Sequence, residues 1–445
     1  MKTLFLLAVV ATTALDAAPH VGDQQGPSRL LGRPISKFVS ESTQKWLSLS
    51  GDFRFRFEDR RGLGFKSGSD DACGLARPRI DVRISPSKWL NFGFQGQDSR
   101  APGIRKGAHN NGVFRDTFDV RQAYMQIGGS EDSPVWATVG RQLLIYGDQR
   151  LIGALDWTNT SRTFDAAKLS VKAGPAEFDV FSASVVQNAP ARRINQSAEG
   201  NNLHGAYGSL RKLPPKSTIE PYMLWPTTPS LLDELGLRGD LDRYTGGVRI
   251  FAKGIGPFDY NAAVVRQWGS VGAASISGWG AYAELGYTLR MPWTPRLYAE
   301  YTFGSGDADS TDGVAGGFAD LLPTAHLWHG YNDMVGWRNL RNVRAGSQLK
   351  PIRKLSVRLD YHSSWLADKA DGLYNVAERR TLTVPAAGAT DAKIGDEVDA
   401  TLTVPLTPTI TVGGGLGYMF PGPFLKAHSP GSGNSFTFLF VGYKF

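Results

Sequence analysis

The sequence predicts an all-β fold: a transmembrane antiparallel β-barrel of about eighteen strands, preceded by a signal peptide. Three observations carry this expectation. The chain ends on an aromatic-rich strand, several segments alternate strictly between apolar and polar residues, and the breaks between segments are short and long in turn.

Taken in chain order, residues 1–18 read as a secretory signal, with Lys2 as the charged start, an apolar run over 4–10 and small residues after it. Such a segment is too short to span a bilayer. Residues 19–44 are polar with two prolines and read as a periplasmic lead, either flexible or docked in the barrel mouth. Residues 45–445 are assigned to the barrel. No later stretch approaches the roughly 18 consecutive apolar residues of a membrane-spanning helix.

Over residues 47–58, Leu47, Leu49, Gly51, Phe53, Phe55 and Phe57 alternate with Ser48, Ser50, Asp52, Arg54, Arg56 and Glu58. Only an extended strand places every second side chain on one face. The same rhythm returns around Arg77–Ile84, Leu90–Gln97, Leu355–His362 and Glu397–Val404. Pro- and Gly-bearing short breaks fall near residues 85–87, 174–175, 213–216, 254–257, 291–295, 351–353 and 405–408. Longer polar stretches separate them at 59–76, 99–117, 143–162, 187–203, 226–242, 304–341, 364–394 and 419–434. Short periplasmic turns opposite long outer loops are expected of a membrane barrel.

At the end of the chain, Leu439, Val441, Tyr443 and Phe445 share one face, and Phe436, Phe438 and Phe440 share the other. A final strand of this kind is expected to meet the first, because lipid satisfies no open sheet edge. A soluble sandwich or propeller accounts for the alternation, but not for the short-long rhythm or the terminal phenylalanine. A propeller would also repeat every 40 to 50 residues or so, and no such repeat is present.

Composition agrees. Hydrophobic residues make up 41% of the chain, as expected when one strand face meets lipid and the other water. The formal charge of +8 favours an anionic partner and gives no indication of nucleic acid. Cys73, the only cysteine, is expected in a loop as an inert or free thiol. Trp89, Trp136, Trp225, Trp279, Trp293 and Tyr443 suit the aromatic girdles of the two interfaces.

A charge facing mid-bilayer lipid costs about 2–4 kcal/mol, so the charged strand faces must point inward. That puts Arg54, Arg56, Arg77, Arg79, Arg83, Arg249, Lys350 and Arg358 in the lumen, with Asp52, Glu58, Asp81, Glu284, Glu300, Asp360, Glu397 and Asp399. A barrel this wide is expected to keep an aqueous channel. Guanidinium forks bind carboxylates bidentately, so the arginines form a candidate anion path. The competing expectation is that they pair with the acids as structural ladders.

Weaker signals point elsewhere. Asp307, Asp309 and Asp312 resemble part of a calcium loop, but the twelfth-position glutamate and flanking helices of an EF-hand are missing. His326 and His329 lie three apart without a cysteine nearby. Ser356 and Ser364 near His362 raise the possibility of a barrel hydrolase, although no geometry supports a triad; a barrel adhesin is the other non-transport reading. No cofactor and no enzymatic activity are expected.

Three blocks sharpen the functional expectation. They are Gly140-Arg141-Gln142-Leu143-Leu144-Ile145-Tyr146-Gly147-Asp148-Gln149-Arg150-Leu151-Ile152-Gly153 with Asp156-Trp157-Thr158-Asn159 and Arg162–Ala166; Gly304-Ser305-Gly306-Asp307 with Phe318–His326 and Gly336–Leu340; and Met419–Lys426. In this order and spacing they resemble the alginate export family of outer-membrane porins. The resemblance implies an 18-stranded barrel that passes an anionic uronate polysaccharide through an arginine-rich constriction. It also implies Arg141 and Arg150 as constriction residues, Asp148 and Asp156 as their partners, and Arg162 and Asp165 as contributors. The expected function is passive passage of an alginate-like polysaccharide or another anionic solute through a Gram-negative outer membrane. The alternative is a general diffusion porin. Expected partners are outer-membrane lipid, lipopolysaccharide and periplasmic export components.

Overall fold

The computed structural model describes residues 46–103, 111–129, 133–190, 194–233, 236–324, 326 and 328–445. The signal and lead expected over residues 1–44 lie outside the described residues.

Eighteen long strands build the wall. The first nine are β1 (Leu47–Arg61), β2 (Asp71–Ser87), β3 (Leu90–Ser99), β4 (Asp116–Gly128), β5 (Val135–Gln142), β6 (Phe164–Ala173), β7 (Ala176–Gln187), β8 (Gln196–Leu213) and β9 (Ser217–Leu232). The others are β10 (Arg238–Ile255), β11 (Phe258–Val271), β12 (Ala274–Thr288), β13 (Arg296–Gly304), β14 (Leu340–Ile352), β15 (Leu355–Leu366), β16 (Lys393–Pro405), β17 (Ile410–Pro421) and β18 (Asn434–Lys444). Each pairs antiparallel with its neighbours in sequence. The last strand returns to the first, from Asp52↔Lys444 to Arg61↔Ser435, and closes the barrel. Beyond that ladder the Gly51 N–H donates to the Phe445 carbonyl (3.1 Å) and the Phe445 N–H to the Gly51 carbonyl (3.0 Å).

Alternation sorts the side chains as expected. On β1, Phe53, Phe55 and Phe57 are exposed to the outside while Arg56 and Glu58 are buried inside. On β18, Leu439 and Val441 point outward, and Phe436 and Phe438 are buried in the lumen. Of the tryptophans expected near strand ends, exposed Trp89 and Trp293 lie in turns, whereas Trp225 and Trp279 are exposed within β9 and β12, away from their ends.

Three expectations are corrected. Cys73 is not in a loop: it sits on β2 and is buried. The small residues Ala72, Gly74 and Ala76 around it dilute the alternation that would have announced the strand. The polar stretches 187–203 and 226–242 are not mainly loop, because β8, β9 and β10 run through much of them as tall hairpins. A polar strand above the bilayer has no apolar face to declare it. Third, β11 and β12 are joined by Gly272-Ala273 alone on the long-loop side, a break that the sequence marks only by Gly272, whose φ is 56°.

The seam tolerates no bulk at Gly51. A Cβ there would stand 2.6 Å from both the Arg79 carbonyl oxygen and the Phe445 ring. Gly51→Val is expected to cost about 1–3 kcal/mol by overpacking. The check is the temperature at which the barrel loses its heat-modifiable mobility on a denaturing gel; an unchanged midpoint would show that the seam yields freely.

Candidate functional site

The wall does not enclose an empty tube. Two long connections, residues 143–163 after β5 and 305–339 after β13, turn inward and meet. Ile152 and Leu322 form a parallel bridge. The Leu322 N–H donates to Leu151 O, Gly153 N–H to Leu322 O and Thr324 N–H to Gln149 O, each at 2.9 Å. Arg162 binds the carbonyls of Gly153 (3.1 Å) and Pro323 (3.1 Å), and that of Leu322, so one guanidinium ties both loops together. Leu144, Tyr146, Leu151, Ile152, Phe318 and Trp337 from these loops pack on wall residues such as Phe164, Leu203 and Tyr282 as a buried cluster. An apolar core inside a polar-lined barrel therefore helps to hold the two inward loops in place.

The loop 143–163 is held from the wall by arginines of β1, β2 and β4. Arg54 donates to the carbonyls of Asp156 (2.9 Å), Trp157 (3.1 Å) and Thr158 (2.8 Å). Arg56 donates to Trp157 O (2.8 Å), lies 4.0 Å over the Trp157 ring and pairs with Glu58 at 2.7 Å. Arg77 and Arg79 reach the Asp156 carboxylate at 3.3 and 2.8 Å, and Arg121 reaches it at 3.4 Å. Arg79 also donates to Ser161 Oγ at 2.6 Å. Burial pushes the Asp156 carboxyl up, but the guanidiniums of Arg77, Arg79, Arg121 and Arg54 outweigh it and hold the group well below the ordinary carboxylate range.

A second knot lies across the lumen. Arg150, on the inward loop, pairs with Asp148 (3.3 Å) and Glu300, between the rings of Tyr282 (3.9 Å) and Trp328 (4.0 Å). Arg249 pairs with Glu220 at 2.7 Å, Arg296 with Glu284 at 2.6 Å and Arg344 with Asp360 at 3.5 Å. Arg358 pairs with Asp360 at 2.6 Å.

The sequence-derived residues thus divide into separate groups. Arg54, Arg56, Arg77 and Arg79 converge on Asp156, and Arg150 meets Asp148. Arg141 stands apart, bound to Asp165 (2.8 Å) and to Asn195 O (2.9 Å). Asp81 accepts from Gln95 at 2.6 Å. Arg83 is exposed at the short-turn end. Asp309 and Asp312 are occupied in local turns, accepting from the N–H groups of Thr311 (3.0 Å) and Val314 (2.8 Å). Among the described residues no group of three His, Cys, Asp or Glu is arranged to hold a metal. Ser364 Oγ accepts from Asn342 at 2.8 Å, and His362 approaches Asn342 (3.5 Å) and Asp399 (3.6 Å).

Arg121, Trp328 and Arg344 were not foreseen. The phase slips in β4, where Gln95↔Gln122 is followed by Gly96↔Val120, and this bulge conceals Arg121. Trp328 lies in a Gly- and Pro-punctuated loop whose inward fold leaves no periodic trace. Arg344 was readable: it is flanked by outward Val343 and Ala345 on β14.

A model of the alginate export family matches residues 45–438, almost the whole barrel. The chain belongs to that family. No curated protein matches the chain in sequence. Three solved structures share the architecture of this porin. OccK11 (OpdR) of Pseudomonas aeruginosa has a TM-score of 0.56 at 14% identity, covering 90% of this chain and 96% of its own. OccK2 (OpdF) of the same species, in complex with glucuronate, has a TM-score of 0.60 at 13% identity, with 90% and 96% covered. A BenF-like porin from Pseudomonas fluorescens Pf-5 has a TM-score of 0.61 at 10% identity, with 90% and 98% covered. At these identities the likeness is one of fold. The porin is an outer-membrane β-barrel channel.

Proposed function

We propose that this porin passes an anionic, uronate-type polysaccharide or a smaller anionic solute passively across the outer membrane. The observation that carries this reading is family membership across almost the whole barrel, in a family described by alginate export. Two features support it. Five guanidiniums, those of Arg54, Arg56, Arg77, Arg79 and Arg121, crowd one inward loop. A protein of the same fold is known in complex with glucuronate. The path has no need of catalysis, because each step is binding and release along a fixed wall.

One observation favours the second reading, a general porin with structural charge ladders. The same arginines are already engaged with Asp156, Glu58 and loop carbonyls. The reversal potential of the purified protein in a planar bilayer under a salt gradient separates the two readings. Anion selectivity, with current blocked by an alginate oligosaccharide, is the expected result. A weakly selective channel indifferent to the oligosaccharide would leave the general porin.

A further inference from the structure

We infer that the element of this porin that first captures a mobile polyanion is an open collar of cations at its short-turn mouth. This rests on the anionic-solute reading above.

The argument begins with charge already spent. Around Arg150 and the opposite wall, the five guanidiniums of Arg150, Arg249, Arg296, Arg344 and Arg358 stand among six carboxylates: Asp148, Glu220, Asp259, Glu284, Glu300 and Asp360. These groups are mostly buried and mutually neutralised, so they offer little net attraction to a passing anion. The arginines around Asp156 are bound to loop carbonyls and carboxylates, as described above. A polymer arriving from solution first meets groups that are cationic, exposed and turned toward the lumen.

Such groups lie at one end of the barrel. Arg83 follows the inward positions Arg77, Arg79 and Asp81 on β2, and it faces Ser48 and Gly93 on the adjacent strands, neither of them acidic. Lys172 is inward on β6 beyond buried Ser170; its cross-strand neighbour Glu177 is taken by Arg211 at 2.9 Å. Lys444 is inward on β18 opposite Asp52, with no ion pair to it. Lys350 is exposed at the short-turn end of β14. Arg83, Lys172, Lys350 and Lys444 are exposed, and no ion pair holds them among the described residues. Exposed Lys88 and Arg290 on the neighbouring turns extend the field.

Anionic lipid headgroups of the inner leaflet are the competing occupant. The alternation argues against them. Near the same mouth, outward strand positions such as Val171 and Leu210 are apolar, whereas the lumen-facing positions carry Arg83, Lys172 and Lys444. A collar with this orientation meets a soluble polyanion before it meets lipid, and a mouth lined by charge of one sign raises the association rate of an oppositely charged ligand.

The test uses single channels of known sidedness in a neutral-lipid bilayer, with an alginate oligosaccharide added from one side and then the other. In the wild type the blocking on-rate is expected to be higher from the short-turn side. The variant Arg83→Gln/Lys172→Gln/Lys350→Gln/Lys444→Gln should lower that on-rate about tenfold and leave the opposite side unchanged, with the difference vanishing in molar salt. These positions are exposed, so the variant should fold like the wild type. Equal on-rates from both sides, or an asymmetry that survives the variant, overturn the collar while leaving an anion channel. Block that appears only when anionic phospholipid is present assigns these cations to lipid and also overturns it. No block from either side in a conducting channel overturns the anionic-solute reading itself. If the protein does not conduct, fluorescence polarisation of a labelled oligosaccharide on detergent-solubilised protein replaces the current. Affinity equal in wild type and variant then defeats the collar, and no binding to either defeats both readings.

Discussion

Asp156→Ala should loosen the inward loop and enlarge the single-channel conductance while leaving the barrel closed. Its carboxylate is the shared counter-ion of Arg77, Arg79 and Arg121, whose side chains are no more than 5% exposed. Removing it leaves like charges facing one another in a poorly hydrated wall. Loss of one partner of a buried pair costs about 3–5 kcal/mol; because the Asp156 side chain is itself half-open, about 2–3 kcal/mol is the better expectation here. The loop carbonyls still bound by Arg54 and Arg56 resist complete release. A conductance equal to wild type would mean that those carbonyl contacts suffice. The pH dependence has a definite sign. The carboxyl is depressed in the folded protein, so its contribution is present above the ordinary aspartate range and is lost only as pH falls through the lower, folded value. Conductance should therefore hold steady between about pH 7 and pH 5, and an opening within that interval would contradict the assignment.

Arg150→Ala carries the other large effect. Arg150 is the only member of the inward loop 143–163 that links it to Glu300 on β13, and it fills the gap between two aromatic rings. Its loss leaves Glu300 buried at 3% exposure with its nearest remaining guanidinium, Arg344, at 3.7 Å. A cost of about 3–5 kcal/mol follows from the stranded charge. The double variant Arg150→Met/Glu300→Gln should recover much of it, since it removes the charge along with its partner. A thermal or urea midpoint for the wild type, Arg150→Met, Glu300→Gln and the double variant closes the cycle. Additive losses would show that the pair contributes no coupling.

The barrel was legible because its code is local. Whether a side chain faces lipid or lumen depends only on the parity of its position, so Phe53, Arg54, Phe55 and Arg56 declared their faces without any partner. Parity failed where a bulge reset it, at Arg121, and where small or uniformly polar residues diluted it, at Cys73 and in the tall hairpins of β8–β10. The inward loops and the arginines that hold them were legible only as a set of charges. Arg54 and the Asp156 carbonyl it binds are 102 positions apart. Nothing in the period-two pattern says which lumen arginine will meet which loop, or that a Gly-rich connection such as 305–339 will fold inward instead of lying over the mouth. The family resemblance marked Arg150 and Asp156 as important. Their separate allegiances, one to β13 and the other to β1–β4, follow from three-dimensional packing alone.

Trp157 has a position that bears on how such a barrel is finished. Its ring packs on Phe438 of β18 (4.8 Å between centroids) while its carbonyl and ring face are held by Arg56 of β1. These two strands meet at the joint that closes the cylinder, so one side chain from the middle of the sequence fastens both edges from within, like a clasp across a hem. The seating of the loop and the closing of the seam are therefore coupled, because the site of Trp157 is completed only when both strands are in place.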